Sequence, residues 1–427
     1  MTHKIRLLYG DRILCTGCMV WRGYTEVKER MPKTYQVVLF QGCKSAHIPR
    51  NLMRIFLVFC LLLFTSISKA ERNLIVVTLD GLRWQEVFRG ADENLIAHQD
   101  FVKKPEALKQ AFWHQEHKQR RQRLMPFFWQ TIVEQGTVIG NRDIGSKMSV
   151  ANPWYFSYPG YSEIFTGVVD ESIDSNRKIP NPQISFLEWL NKQDKFEGKL
   201  AAFGSWDVFP YIFNVERSKL YVNAGFDSAG GYPLSAEVKL LNELQKEIPS
   251  PWHSVRLDAF THRFAKDYLL TVKPKVMAIA YGETDDFAHD GAYDQYLHAA
   301  KRTDQFIADL WRTIQTTPGY KNNTNVLIVT DHGRGSYPED WQHHASKRSL
   351  AGYMKGLSHF PEGIIGSEHI WFAAIGPDIP ARGVVKTKVE VKQSQVAATA
   401  MKLLGYQPQT FNPDIAPAIA ELFNQEN

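Results

Sequence analysis

The stretch "KVMAIAYGETDDFAHDG", Lys275 to Gly291, joins two segments of opposite character. Its first part is a short apolar run bounded by Pro274 and Gly282, the pattern of a buried strand. Its second part gathers four acids and His289 into the ten positions from Gly282 to Gly291. An acid cluster taken alone is an ordinary solvated loop. At the C-terminal end of a buried strand it gains another meaning, because ligands of open α/β sheets bind along that edge.

The same grammar recurs along the chain. Strand-like runs occupy 73–81, 199–207, 275–285, 325–333 and 369–379, and helical patterns fall between them at 125–135, 185–193, 254–269, 293–316 and 391–404. Strands alternating with helices predict an α/β fold, a mainly parallel central sheet with helices on both faces. Two segments interrupt the alternation. Glu93–Arg123 is a charged helical insertion, and 208–251 is loop-rich; such excursions commonly cap a substrate pocket.

With 427 residues, 44% hydrophobic and 22% charged, the chain can bury a large core, and its composition excludes disordered, collagenous and coiled-coil classes. The formal charge of +5 is unevenly spread. Residues 1–52 carry a net +6, from nine Lys/Arg and three Asp/Glu, and residues 53–70 add Arg54 and Lys69. Removing those eight charges from +5 leaves −3 for residues 71–427, so no nucleic-acid partner is expected.

The same boundary carries a targeting pattern. Met53 and Arg54 precede an apolar run from Ile55 to Phe64, followed by the small residues Ser68 and Ala70. That is the layout of a signal peptide over 53–70, too short for a comfortable membrane span. Residues 1–52 then read as an upstream extension, and 71–427 as a periplasmic or secreted catalytic domain with no stable membrane anchor once the signal is cleaved. Cys15, Cys18, Cys43 and Cys60 all fall before residue 71, so the mature chain needs no disulfide in an oxidising compartment.

Three strand-like runs end in metal-competent residues: Asp80 after "LIVVTL", Asp285 after "MAIAYGET", and Asp331 with His332 after "VLIVT". His289 follows Asp285 by four residues, which brings both to one ion if the turn is helical. His369 opens the last run. Ser157-Tyr158-Pro159 stands in "NPWYFSYPGYSEIFTG", 152–167. In this order the set resembles the alkaline phosphatase superfamily, in particular its type I phosphodiesterase/nucleotide pyrophosphatase branch and the related phosphoglyceromutase-like proteins.

The resemblance implies a two-metal hydrolase of small phosphate esters. One ion would be held by Asp285, His289 and His369, the other by Asp80, Asp331, His332 and Ser157, with Ser157 as nucleophile. Carboxylate and imidazole donors suit two Zn2+ ions, or Mn2+ in a more open site. The phosphodiesterase branch is expected to place an Asn three residues after the nucleophile, where this chain has Gly160; Asn152, Arg83, Lys147 and Arg334 are candidates to contact phosphate instead. The alternatives are a phosphoglyceromutase-like phosphoryl transferase, a sulfatase-like hydrolase and an inactive binding protein. Sulfatases carry Arg where this chain has Tyr161, and a secretion signal is out of place on a glycolytic mutase. His343 and His344 read as a solvent-exposed loop pair.

Overall fold

The first strand, β1 (Asn73–Leu79), is buried along its whole length, as a strand covered on both sides must be. The computed structural model describes residues 72–423; the proposed extension, the signal-like segment and all four cysteines lie outside them. Ten further strands follow: β2 (Gly136–Ile139), β3 (Met148–Ser149), β4 (Leu200–Gly204), β5 (Tyr221–Ala224), β6 (Val276–Tyr281), β7 (Thr324–Val329), β8 (His369–Ile370), β9 (Phe372–Ile375), β10 (Gly383–Val384) and β11 (Val391–Lys392). Eight form one sheet in the order β10-β2-β9-β7-β1-β6-β4-β5, and β11-β3-β8 form a small second sheet.

The five strands β7-β1-β6-β4-β5 are all parallel. On the other side β9 runs antiparallel to both β7 and β2, so the run expected at 369–379 splits into two strands and reverses the sheet's direction. Alternate residues of β1 serve opposite faces. Ile75, Val77 and Leu79 join a core with α2 (Asp258–Thr271) and α4 (Tyr293–Thr316), whereas Leu74 and Val76 join another with α1 (Ser157–Thr166) and α5 (Gln395–Leu403). The sheet is therefore sandwiched between two helical layers, as the alternation of strands and helices requires.

The expected insertion at 93–123 is three short helices, Glu93–Ala97, Pro105–Phe112 and His117–Leu124. Within it Arg120 and Arg121 pack on aromatic rings, the Arg120 guanidinium 4.0 Å from the Trp113 ring and that of Arg121 3.5 Å from Trp129, while Lys118 and Arg123 are exposed.

Register places the important ends together. Leu79 pairs with Tyr281 and Thr78 with Val329, so β7, β1 and β6, the three contiguous central strands, terminate side by side. The first turn of α1 is pressed against this edge. A Cβ added at Gly160 would stand 2.5 Å from the Asp331 carbonyl oxygen. Alanine would gain about 1 kcal/mol of helix propensity, but the rigid contact with main chain costs roughly 1–3 kcal/mol. Gly160→Ala is accordingly expected to lower the urea midpoint despite its better helix propensity, and an unchanged or higher midpoint would show that α1 can slide away from β7.

Candidate active site

Asp80 directly follows β1, and Asp331 stands two residues beyond the end of β7. Asp285 sits in the first turn of α3 (Glu283–His289), one residue after Thr284, whose hydroxyl donates to the Asp80 carbonyl at 2.5 Å. The start of α3 is fixed by an exchange with α2: the Asp258 carboxylate accepts from Gly282 N and Glu283 N, and the Glu283 carboxylate accepts from Asp258 N. Gly81 N donates to Asp331 Oδ1 at 3.1 Å. Gly81 itself has φ +58, and a Cβ there would lie 2.7 Å from Asp285 Oδ1, so glycine alone lets the three strand ends close up.

At the centre is His332, fully buried. Its Nε2 lies 3.3 Å from Asp80 Oδ1, 3.4 Å from Asp331 Oδ2, 3.7 Å from Asp285 Oδ1 and 3.3 Å from Ser157 Oγ. Nδ1 is 2.9 Å from the Gly333 carbonyl, which can only accept, so Nδ1 carries a proton and Nε2 is the ring nitrogen turned to the carboxylates. Burial opposes a positive charge on this ring, but Asp331, Asp80 and Asp285 outweigh it and raise its pKa to about 9. Burial and the charge of Asp285 push Asp80 up, and burial and Asp80 push Asp331 up. Asp285 is also buried, yet Arg334 and His289 hold it well below the usual carboxylate range.

A second group adjoins the first. His289 Nε2 is 3.2 Å from Asp285 Oδ2 and 3.1 Å from His344 Nε2. His344 is buried, stacks on His332 with ring centroids 3.8 Å apart, and donates from Nδ1 to the Tyr155 carbonyl, which turns its Nε2 toward His289 and Asp285. Burial and the neighbouring His332 keep it neutral, its pKa well below the usual value.

The donor atoms of Asp285, His289 and His344 all lie within 4.8 Å of one another, and so do those of Asp80, Asp285 and His332. A tetrahedral ion with bonds of ~2.0–2.1 Å separates its donors by roughly 3.3–3.4 Å, close to the 3.2 Å and 3.1 Å of His289 Nε2 from Asp285 Oδ2 and His344 Nε2. Asp80 Oδ1 and Asp331 Oδ2 are buried with no hydrogen-bond partner among the described residues. Buried carboxylate oxygens without hydrogen-bond partners, beside imidazole nitrogens, fit divalent cations.

Of the seven residues expected from sequence, six converge here. His369 does not. It begins β8, paired with Ser149 of β3, and its Nε2 is 3.2 Å from Glu368 Oε1. The place at Asp285 and His289 is taken by His344, whose position in the sequence suggested an exposed loop residue. The spacing of His344, twelve residues after His332 with no strand between, carried no periodic signal; its burial depends on how the loop folds back onto β7.

Ser157 stands at the first position of α1, buried, with its hydroxyl at the floor of a cavity of about 380 Å³ that Asp80, Asp285 and His289 also line. Glu163 on the same helix accepts from Ala151 N, Asn152 N, Asn152 Nδ2 and Ser394 N, tying α1 to the preceding loop and to α5. Tyr161 donates to Asp80 Oδ2 at 3.0 Å, so the position that is Arg in sulfatases here holds the Asp80 carboxylate in place.

None of the four expected phosphate contacts lines this cavity. Arg83 is bound to Glu86 and the Gly335 carbonyl, Arg334 to Asp285 and the Gln342 carbonyl, Asn152 to Glu163, and Lys147 lies exposed elsewhere. Asn176 and Lys178, from the loop after α1, do line it. The Asn176 Oδ1 accepts from Tyr158 N at 2.9 Å, which leaves its amide nitrogen over the N-terminus of α1. Lys178 is bound to Asp207 Oδ2 at 2.7 Å. Among the tryptophans near strand ends, Trp206 lines the cavity, while Trp84 is core. Asp286 lines it too, burial and Asp285 pushing its pKa up to about 9, whereas Asp290 accepts from Trp252 Nε1.

The family model for type I phosphodiesterase / nucleotide pyrophosphatase matches residues 93–350, which include Ser157, Asp285, His289, Asp331, His332 and His344. The chain belongs to that family. It is thus an enzyme that hydrolyses phosphoric esters. Solved structures share its fold at low identity. A Bacteroides thetaiotaomicron protein assigned to the sulfatases is 12% identical, with 84% of this chain and 76% of that one covered and a TM-score of 0.51. The alkaline phosphatase PafA is 11% identical, with 83% and 99% covered and a TM-score of 0.50. No curated protein matches the sequence significantly. Both structures confirm an alkaline phosphatase-like α/β fold.

The two histidine assignments separate experimentally. Elemental analysis of purified variants is expected to show less bound zinc in His344→Ala and wild-type content in His369→Ala; the reverse pattern would return the ligand role to His369.

Proposed function

We propose that this enzyme hydrolyses phosphodiesters with Ser157 as nucleophile and two divalent cations as cofactors. The observation that carries the reading is the position of Ser157 Oγ, 3.3 Å from His332 Nε2, on the floor of a cavity whose wall contains unsatisfied carboxylate oxygens. Asp285, His289 and His344 would hold one ion, and Asp80, Asp331, His332 and Ser157 the other. Zn2+ suits these donors best, with Mn2+ the alternative. When bound, the ions supply positive charge that lowers the pKa of the serine hydroxyl and offsets the charge of the phosphate.

The remaining work falls to the chain itself. Ser157 Oγ forms a bond to phosphorus while the bond to the leaving alkoxide breaks, and that alkoxide takes up a proton. Water then attacks the phosphoseryl group, the P–Oγ bond breaks, and the serine is restored. The N-terminus of α1 favours the anionic phosphate, and the free amide nitrogen of Asn176 donates to a non-bridging oxygen, the role for which Gly160 has no side chain. The signal-like segment at 53–70 supports a periplasmic or secreted location; among the described residues no helix is long and apolar enough to cross a membrane.

With bis(p-nitrophenyl) phosphate as substrate, Ser157→Ala is expected to lose about 10³-fold or more in kcat with bound metal largely retained. Asn176→Ala should lose roughly 100-fold in kcat/KM, in the range for one oxyanion donor. Normal turnover by the Ser157 variant would remove the nucleophile, and normal turnover by the Asn176 variant would move the phosphate contact elsewhere.

A further inference from the structure

A second cavity, of about 510 Å³, opens beside the catalytic one, and the two share Lys178 and Asp207 as a common wall. Its other side is built by the short helices Phe209–Ile212 and Val215–Ser218 and by the turn after β5, all within the 208–251 excursion. The charges that face it are unequal. Lys178 is its one cation, and that ammonium is already bound to Asp207 at 2.7 Å. Against it stand Asp207, Glu216 and Asp227.

These carboxylates differ in how far they are answered. Asp227 accepts from Ala224 N, and its charge acts on the buried Arg256. Asp207 Oδ1 is buried without a hydrogen-bond partner among the described residues, and Glu216 is exposed with no ion pair there. Two aromatic side chains complete the lining: Tyr211, and Phe226, which is 41% exposed although it is large and apolar. An open aromatic face beside the unpaired Glu216 carboxylate and an excess of acids suits an organic cation, since ring faces and carboxylates both attract ammonium. It suits an anion poorly. A phosphate or carboxylate entering here would meet three acids and an ammonium that is already neutralised.

We propose that this cavity is a substrate subsite that receives one of the two groups esterified to phosphorus, and that it selects a group carrying an ammonium over a neutral or anionic one. The inference rests on the phosphodiester reading above and adds its substrate class. The shared Lys178–Asp207 wall sets the two cavities side by side, so one ester arm of a phosphate at Ser157 can extend toward the second.

The test is a series of p-nitrophenyl phosphodiesters that differ only in the second alcohol: choline, its uncharged isostere 3,3-dimethylbutanol, and methanol, whose single carbon is too short to reach the cavity. The choline ester is expected to show a kcat/KM about ten-fold above its isostere, the scale of a cation held by rings and carboxylates. The double variant Glu216→Gln, Phe226→Ala should bring the two together while turnover of the methyl ester stays at the wild-type level, which also shows that the variant is folded. Equal rates for choline and isostere in the wild type, with all three esters cleaved, would overturn the subsite and leave the phosphodiester reading standing. Failure to cleave any ester would overturn that reading and the subsite with it.

Discussion

Three parallel strands that end side by side bring three carboxylates into one buried place, and most of the structure around them follows from that convergence. Asp80 and Asp285 offer oxygens within 4.8 Å of each other. At an effective dielectric constant of ~20, two such charges repel by about 3.5 kcal/mol, and Asp331 adds to the sum. The protein's own cations are too few. His332 can carry one charge and Arg334 binds Asp285 from behind, yet Asp80 Oδ1 and Asp331 Oδ2 share the one His332 ring and have no hydrogen-bond partner among the described residues. A fold that closes in this way, with a glycine at position 81 so that it can, gathers the charge and the donor spacing of a cation site.

The surrounding parts hold this arrangement against its own repulsion. The Asp258–Glu283 exchange sets the start of α3 and with it Asp285 and His289. Glu163 anchors α1, so that Ser157 cannot drift from His332, and Tyr161 and Thr284 bind the side chain and the carbonyl of Asp80. Each of these groups lies one contact away from a candidate ligand. Their combined effect is preorganisation: the donor atoms already stand at ligand spacing.

Much of this is legible in the sequence, because strand ends leave a local mark. An apolar run that stops at an aspartate announces both the strand and the edge on which the acid lies, and three such runs are enough to set Asp80, Asp285 and Asp331 along one edge of one sheet. His289 is readable for a similar reason, four residues along a helical turn. What escapes depends on tertiary folding. His344 reaches the site because a loop folds back until its ring stacks on His332, whereas His369 stands out in the sequence only because it opens an apolar run. That run is recognisable as a strand, but its antiparallel direction is not, since burial leaves the same apolar pattern in either sense. Asn176 is invisible for the same reason as His344: its role comes from a contact with Tyr158 N across a loop.

The most direct test of the account is anomalous X-ray scattering at the zinc edge from crystals of the protein loaded with zinc. The account predicts two peaks, one among Asp285, His289 and His344 and one among Asp80, Asp331, His332 and Ser157. A crystal with no ordered zinc at either place, with the three carboxylates splayed into solvent, would contradict it.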